Sequence, residues 1–418
     1  MTVGLQLFGM AIILLPSSAI RNSMFANAAY ASDSSGVHQH RQRLTSTDID
    51  NINNNDKECI TSSFHVERPL SPPFPNGPCD GTVITIPQQD LFPSQRRRAS
   101  SSSSSSRGFP FFNNWDDLAS SYEDAILPPR DVKVWFPREY HSYENHSLRF
   151  PVLYCHDGQN EAMDDSSSWT GSSWRLTGAL TRLSERRMFR IDTPPVVVLI
   201  PSMEGNFFLP GLPRRHSEYG DYNNPISQAY GKFVAEVLHP YIVDRFRIQD
   251  DVEHVATIGS SLGGQASLQL LLRYPTIFGA AACLSPCFQP GTIAAVIANL
   301  ASMDGGRGRT NHPNHNNLRS KVIYMDIGGD VDVTRVPIFD AHDHFTMNDK
   351  FWNPGYWWLD TNLQPMVDAM RLVLDGGGVQ HTYKTFPGGR HNERAWAQRI
   401  HHPLLALYGN KSASIIDE

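Results

Sequence analysis

Short apolar runs alternate with longer amphipathic stretches along most of the chain after about residue 129. Most of the runs are continuously apolar, which is typical of parallel strands buried on both faces. The pattern predicts strands at 132–136, 150–154, 196–200, 255–258, 280–284, 322–326 and 381–386, preceded by an alternating strand at 82–86. It predicts helices at 228–246, 290–300, 357–374 and 394–407. Strands that alternate with helices indicate an α/β fold, with a mostly parallel sheet and helices on both faces.

The segment 255–285 combines a strand, a sharp turn and a helix. Its apolar start leads into Gly-Ser-Ser-Leu-Gly-Gly, and the helix that follows is expected to end before Pro275, because proline disfavours a helical residue ahead of it. The turn has the pattern G-x-S-x-G around Ser261, the nucleophile elbow that exposes a serine above a sheet. Gly259 and Gly263 are expected where the two backbones pass too closely for a side chain. We therefore predict a nucleophilic Ser261 rather than a plain glycine-rich turn.

A serine hydroxyl needs a base to take its proton, and in this pattern an acidic residue and then a histidine follow in later loops. His391 lies between two glycines and the terminal helix, and is predicted as the general base. The acid is predicted in the loop after strand 322–326. There Asp332 is favoured over Asp330, with Asp326 and Asp340 as further alternatives.

The remaining candidates would surround the reacting carbonyl group. Two backbone amides must stabilise the oxyanion, and Leu262, after the serine, and Gln159, after the strand at 150–154, are predicted to supply them. Trp174, Glu218 and Tyr219 follow strands on the side of the sheet where the site is expected. They are candidates for lining a substrate pocket, and the alternative is that they pack loops over the core.

Composition and charge narrow the function only slightly. The chain is 40% hydrophobic and 19% charged with a net charge of −6, which gives no indication of a nucleic-acid partner. The histidines match no metal-ligand spacing, so no metal or other cofactor is predicted. Cys155 and Cys283 lie in apolar runs and are expected as buried thiols, whereas Cys59 and Cys79 flank a proline-rich loop. That second pair could form a disulfide in an oxidising compartment, but spacing alone leaves its connectivity open.

The N-terminal region indicates targeting. An apolar run at 5–15 and a small-x-small site at Ala29-Tyr30-Ala31 fit a signal peptide and are too short for a stable membrane span. No Lys or Arg precedes the run, so an organelle presequence is the alternative to secretion. The predicted organisation is a targeting peptide at 1–31, a low-complexity disordered segment at 32–65 and a catalytic domain at 66–418 with a serine-rich insert at 94–108.

Several segments occur in an order that resembles a known family: PPRDVKVWFPREY, FPVLYCHDGQN, RRHSEYGDY, FVAEVLHPYIVDRFRI, VATIGSSLGGQASLQLLLRYPTIFGAAACLSP, KVIYMDIGGDVD and FPGGRHNERAWAQR. They resemble the putative esterase family of α/β-hydrolases, which includes enterochelin, feruloyl and acetylxylan esterases, esterase D and the mycolyltransferases of the antigen 85 type. The resemblance covers about residues 128–407. It implies an α/β-hydrolase fold, Ser261 as nucleophile, His391 as base and the acid in the loop 330–332, which is one residue shorter than the family's usual spacing.

These observations together predict a serine carboxylesterase that hydrolyses a small-molecule or glycan ester through an acyl-enzyme, without a cofactor. An acyltransferase with the same residues and an alcohol acceptor is the alternative. A binding protein on a hydrolase scaffold is a third hypothesis, and the presence of the serine, aspartate and histidine together argues against it.

Overall fold

The computed structural model of the protein describes residues 81–92, 127–142, 147–159, 173–190, 193–203, 214–305, 317–328, 354–387, 389 and 391–410. Several predictions lie outside these residues. They are the targeting peptide at 1–31, the low-complexity segment at 32–65, the insert at 94–108, the Cys59–Cys79 pair, and the acid candidates Asp330, Asp332 and Asp340.

The described residues contain a sheet of eight strands in the spatial order β1-β2-β4-β3-β5-β6-β7-β8. The strands are β1 (Thr82–Ile86), β2 (Val132–Phe136), β3 (Val152–His156), β4 (Val196–Ile200), β5 (Val255–Ser260), β6 (Ala280–Leu284), β7 (Val322–Ile327) and β8 (His381–Thr385). Strand β2 is antiparallel to both β1 and β4, and all pairs from β4 to β8 are parallel. The mostly parallel sheet predicted from the apolar runs is therefore confirmed. The carboxyl ends of β3 to β8 meet at one edge.

Helices connect the strands and cover the sheet. They are α1 (Gln88–Leu91), α2 (Arg138–His141), α3 (Leu176–Glu185), α4 (Arg214–Glu218), α5 (Pro225–Lys232), α6 (His239–Arg245), α7 (Leu262–Arg273), α8 (Pro290–Gly305), α9 (Pro354–Gly376), α10 (Glu393–Arg399) and α11 (His401–Tyr408). The helix predicted at 228–246 starts three residues earlier and contains a π-helical turn, Phe233–Leu238, between α5 and α6. The predicted terminal helix is divided at Ile400 into α10 and α11.

Two hydrophobic cores lie on opposite faces of the sheet, because successive side chains of a strand point to opposite sides. In β3, Val152 and Tyr154 belong to one core, while Leu153 and Cys155 belong to the other. The first core is covered by helices from α5 to α9, and the second by α3, α10 and α11. This two-sided burial explains why these strands have no alternating polar face.

Candidate active site

Ser261 lies at the turn between β5 and α7 in a conformation that side chains disfavour. Its φ is 55° and its ψ is −123°, and a non-glycine residue with positive φ is held there only by its surroundings. The Ser261 N–H donates to the carbonyl of Leu284 at 2.9 Å, and the Ser261 carbonyl accepts from the N–H of Cys287 at 2.9 Å. The segment after β6 thus fixes the strained turn from both sides, and Ser261 stays partly exposed between buried neighbours.

Gly259 is required by a close approach of strand and helix. A Cβ atom placed on Gly259 would lie 2.5 Å from the backbone carbon and oxygen of Gly263, which is too short for any side chain. The expected close passage is therefore confirmed at Gly259, whereas a Cβ atom on Gly263 would meet side-chain atoms of Asp157 and His156 at 3.3 and 3.4 Å. Because Leu262 is the first residue of α7, its N–H has no acceptor within the helix.

A second turn, Asp157-Gly158-Gln159, follows β3 directly beside the elbow, because β3 pairs with β5. The Gly158 N–H donates to the carbonyl of Ile200 at 2.9 Å. The Gln159 side chain donates to the Ser202 hydroxyl at 2.8 Å and accepts from the Ser202 N–H at 3.0 Å. These bonds fix the turn to the end of β4, at the same sheet edge as Ser261.

Buried polar groups lie beneath this second turn. His156 Nδ1 shares a hydrogen bond of 2.7 Å with the Tyr230 hydroxyl, and its Nε2 shares one of 3.0 Å with the Thr257 hydroxyl. Burial lowers the pKa of His156 to about 4, so the ring is neutral at pH 7. The Tyr219 hydroxyl accepts the Asp157 N–H at 3.1 Å, so tyrosine side chains support both residues at the end of β3.

His391 follows β8 and is buried at the same edge. Its ring packs edge-on against Trp396, with 5.0 Å between the centroids, and its Nε2 is a buried atom without a hydrogen-bond partner among the described residues. Burial lowers the pKa of His391 to about 3, and the charges of Arg399 and Arg215 act in the same direction. The imidazole is therefore neutral at pH 7, with one ring nitrogen that no described group occupies.

A short series of contacts connects His391 to the elbow. Trp396, against which His391 packs, directs its indole N–H to the Ser285 hydroxyl at 3.4 Å. Ser285 directly follows Leu284, whose carbonyl accepts the N–H of Ser261. The structure therefore brings the predicted nucleophile and the predicted base to one end of the sheet.

Asp326 is the one acid candidate within the described residues, and its carboxylate is already engaged. It accepts from the Ser285 N–H at 2.9 Å and the Tyr324 hydroxyl at 3.1 Å, and Arg399 Nη2 lies 3.1 Å away. Burial raises its pKa, and these three donors oppose the rise. This set of partners favours a structural role at the end of β7 for Asp326.

The three substrate-pocket candidates have partners inside the protein. Trp174 is buried against Trp396, with 5.7 Å between ring centroids. Tyr219 is buried beneath the turn that follows β3, and Glu218 is fully buried in contact with two arginine side chains. These contacts favour the alternative interpretation, in which the three residues pack loops over the core.

The thiols behave as their sequence environment predicts. Cys155 and Cys283 are buried and form no disulfide, as expected. Cys287 also forms no disulfide and lies beside the elbow through its backbone N–H, but burial raises its pKa to about 11. A thiol with this pKa is protonated at pH 7, which makes it a poor nucleophile.

Within the part of the chain that the structure describes, no group of three or more His, Cys, Asp or Glu side chains is placed to hold a metal ion. In the same residues, no helix is both long and apolar enough to cross a bilayer.

Sequence reasoning assigned no role to Asp157 and Arg215, although both lie in the segments that carry the family resemblance. Arg215 Nε and Nη2 donate to the Asp157 carboxylate at 2.8 and 2.7 Å. The available signal was an acidic residue two positions before the predicted oxyanion donor Gln159, with an arginine pair 57 and 58 positions after that acidic residue.

Several solved esterase structures are similar to this chain at low sequence identity. A ferulic acid esterase is 15% identical over 79% of this chain and 98% of its own, with a TM-score of 0.47. The enterobactin esterase FES from Shigella flexneri is 16% identical over 67% of this chain, which spans only 55% of that longer protein, with a TM-score of 0.43. The enterobactin and salmochelin hydrolase IroE is 18% identical over 66% of this chain and 89% of its own, with a TM-score of 0.39.

A mostly parallel sheet covered on both faces, with a strained serine between a central strand and its helix, defines an α/β-hydrolase. Residues 125–407 match the model of the Esterase family, described as putative esterase, and the chain belongs to that family. The protein is accordingly a hydrolase that acts on carboxylic esters.

Proposed function

We propose that the protein is a serine carboxylesterase that forms an acyl-enzyme on Ser261. The observation that carries this proposal is the strained turn at Ser261 and its connection, through Leu284, Ser285 and Trp396, to a buried, neutral histidine. The Nε2 atom of that histidine has no hydrogen-bond partner among the described residues. A nucleophile and a base at one sheet edge are what acyl transfer requires.

In the proposed reaction, Ser261 Oγ bonds to the ester carbonyl carbon while His391 Nε2 takes the hydroxyl proton. The carbonyl oxygen becomes an oxyanion held by the amides of Leu262 and Gln159. When the bond to the alkoxy oxygen breaks, His391 returns the proton to the leaving alcohol. Water then attacks the acyl-enzyme with the same base, and the carboxylic acid leaves as Ser261 recovers its proton.

The surroundings of His391 support the need for an acid from the loop 330–332. Among the described residues, the charged groups that act on its pKa are the cations Arg399 and Arg215, and both disfavour the imidazolium that forms in the reaction. A carboxylate beside the ring would stabilise that imidazolium and orient the imidazole. We propose Asp332 for this role, with Asp330 as the alternative.

The test uses a fluorophosphonate probe and p-nitrophenyl acetate. The wild-type protein should be labelled and should release p-nitrophenol with a burst, because p-nitrophenolate is a good leaving group and deacylation should then be slower than acylation. Ser261→Ala should lose labelling and lower kcat by a factor on the order of 10⁶. Ser302→Ala, a change at an exposed serine of α8, is the matched control and should keep both.

An absence of labelling and of turnover across short aliphatic and aryl esters would contradict the proposal. Product analysis in the presence of a sugar or glycerol acceptor separates hydrolysis from acyl transfer. A carboxylic acid is expected as the main product, and a new ester would identify a transferase.

A further inference from the structure

The Asp157–Arg215 ion pair connects the turn after β3 to helix α4. Arg215 Nε lies 2.8 Å from Asp157 Oδ1, and Nη2 lies 2.7 Å from Oδ2, so the guanidinium binds both oxygens of the carboxylate. The Asp157 side chain is only 5% exposed and that of Arg215 is 25% exposed. Two-point pairing of this kind fixes orientation as well as distance.

Asp157 has backbone geometry that needs such support. Its φ is 58°, in the left-handed region that few non-glycine residues adopt. A buried carboxylate also requires a partner, because an unpaired charge in the interior is costly. Arg215 supplies the partner and lies over the Tyr219 ring, 5.3 Å from its centroid, while the Tyr219 hydroxyl accepts the Asp157 N–H. The side chain and the amide of Asp157 are thus both held from the segment 214–219.

The same arginine also reaches the strand that carries the nucleophile. Arg215 Nη2 lies 3.5 Å from the carbonyl oxygen of Ser260, the last residue of β5. On the other side of the pair, a Cβ atom on Gly263 would lie 3.3 Å from Asp157 Oδ2, so the elbow backbone packs directly against the carboxylate. One guanidinium therefore spans the turn with the predicted oxyanion donor and the strand end that precedes Ser261.

We propose that Arg215 is a positioning residue of the esterase reaction, which holds the turn Asp157-Gly158-Gln159 in register with Ser261. This inference rests on the proposed function and assigns Arg215 no contact with the substrate. Its role is to keep the Gln159 amide at the distance from Leu262 that a shared oxyanion requires.

The experiment compares Arg215→Gln and Arg215→Lys with the wild-type protein by steady-state kinetics on p-nitrophenyl acetate. Arg215→Gln should lower kcat by about 10- to 100-fold, short of the 10²- to 10³-fold loss that follows removal of an oxyanion donor, and change KM by less than about threefold. Arg215→Lys should recover part of kcat, because an ammonium keeps the charge but cannot bind both carboxylate oxygens in the plane. Arg245→Gln, at an exposed Arg–Asp pair, is the control and should leave both constants unchanged.

The pH profile provides a readout that a merely structural role would not change. Among the described residues, the charged groups that act on His391 are Arg399, paired with Asp326, and Arg215, paired with Asp157. Removal of the Arg215 charge raises the pKa of His391, so the acidic limb of kcat/KM should move to higher pH in Arg215→Gln. It should stay near the wild-type position in Arg215→Lys.

A double variant, Asp157→Asn with Arg215→Gln, separates positioning from the cost of an unpaired buried carboxylate. The inference predicts that this variant regains thermal stability while kcat stays low. Recovery of both would overturn it, as would an Arg215→Gln enzyme with wild-type kcat. If the wild-type protein itself neither hydrolyses esters nor reacts with the fluorophosphonate, the proposed function fails, and that result is distinct from any effect of Arg215.

Discussion

The buried carboxylate of Glu218 offers a test of whether this residue is structural or binds substrate. Arg130 Nη2 lies 2.6 Å from Oε1 and Arg130 Nη1 lies 2.8 Å from Oε2, while Arg214 Nε lies 3.3 Å from Oε1. The Arg130 and Glu218 side chains are 1% and 0% exposed. The substitution Glu218→Gln preserves the volume of the side chain but removes the negative charge between two cations.

The expected cost follows from this burial. Removal of one partner from a buried ion pair lowers the free energy of unfolding by about 3–5 kcal/mol, because the remaining charge stays in the interior uncompensated. For a domain of this size, such a loss lowers the melting temperature by about 10 °C. The matched control is Glu185→Gln, since the Arg182–Glu185 pair is 3.3 Å apart on the surface and should contribute less than about 1 kcal/mol.

Thermal unfolding measures the change in melting temperature. Steady-state kinetics, measured well below the melting temperature, gives KM as the second readout. A structural Glu218 predicts a large stability loss with KM changed by less than about threefold. An unchanged melting temperature with a strongly raised KM would refute this reasoning and would support the earlier prediction that Glu218 lines the substrate pocket.

Three further predictions concern the elbow, a buried histidine and the acid. Gly259→Ala forces a Cβ into the facing backbone and should reduce both stability and fluorophosphonate labelling, whereas Gly376→Ala, with open space around its Cβ, should preserve both. Burial lowers the pKa of His156 from 6.5 to about 4. As the pH falls from about 6.5 to about 4, His156 is therefore protonated in the unfolded state but not in the folded state. This difference should lower the free energy of unfolding by up to about 3 kcal/mol. Denaturant unfolding of His156→Gln should show a weaker loss over that range; an unchanged pH slope would contradict the assignment. Of Asp332→Asn and Asp330→Asn, the first should lower kcat by about 10⁴-fold and the second only slightly, and equal mild effects would exclude both.

The strands were the most predictable part of the fold, because burial on both faces leaves a continuous apolar run. The errors lie where polar residues are buried. The strand predicted at 150–154 is observed as Val152–His156, since His156 is fully buried but satisfied by Tyr230 and Thr257. Hydropathy alone ends the strand too early, because partners distant in sequence make that polar residue tolerable.

Two helices were less predictable, for different reasons. Helix α3, Leu176–Glu185, is amphipathic, but Arg175 precedes it in a left-handed conformation without a side-chain cap hydrogen bond, so the sequence carries no signal for the start of the helix. Helix α4 has five residues and no aliphatic side chain, and its position depends on the ion pairs of Arg214, Arg215 and Glu218. It therefore gives no periodic apolar signal.

In the candidate site, too, features that depend on neighbouring residues could be predicted, and features that depend on residues distant in sequence could not. The elbow could be located because Gly259 is required by the facing backbone of Gly263, and this requirement is local in sequence. The partners of Glu218 and Asp157 could not be predicted, because Arg130 is 88 residues from Glu218 and Arg215 is 58 residues from Asp157. Such pairings decide whether an acidic residue near a site faces a substrate or an arginine.

The way the second hydrophobic core is covered has a consequence for synthesis on the ribosome. Its strands emerge early, but α10 and α11 are the last described helices to emerge, and the Tyr408 hydroxyl bonds to the Val152 carbonyl across 256 residues. Helix α3 emerges soon after β3, but at about 5–20 residues per second the part of that face covered by α10 and α11 stays exposed for roughly ten seconds or more after β3 is made. Nascent chains therefore expose apolar surface of the sheet until the last described helices are synthesised, and protection from aggregation during translation matters at this face.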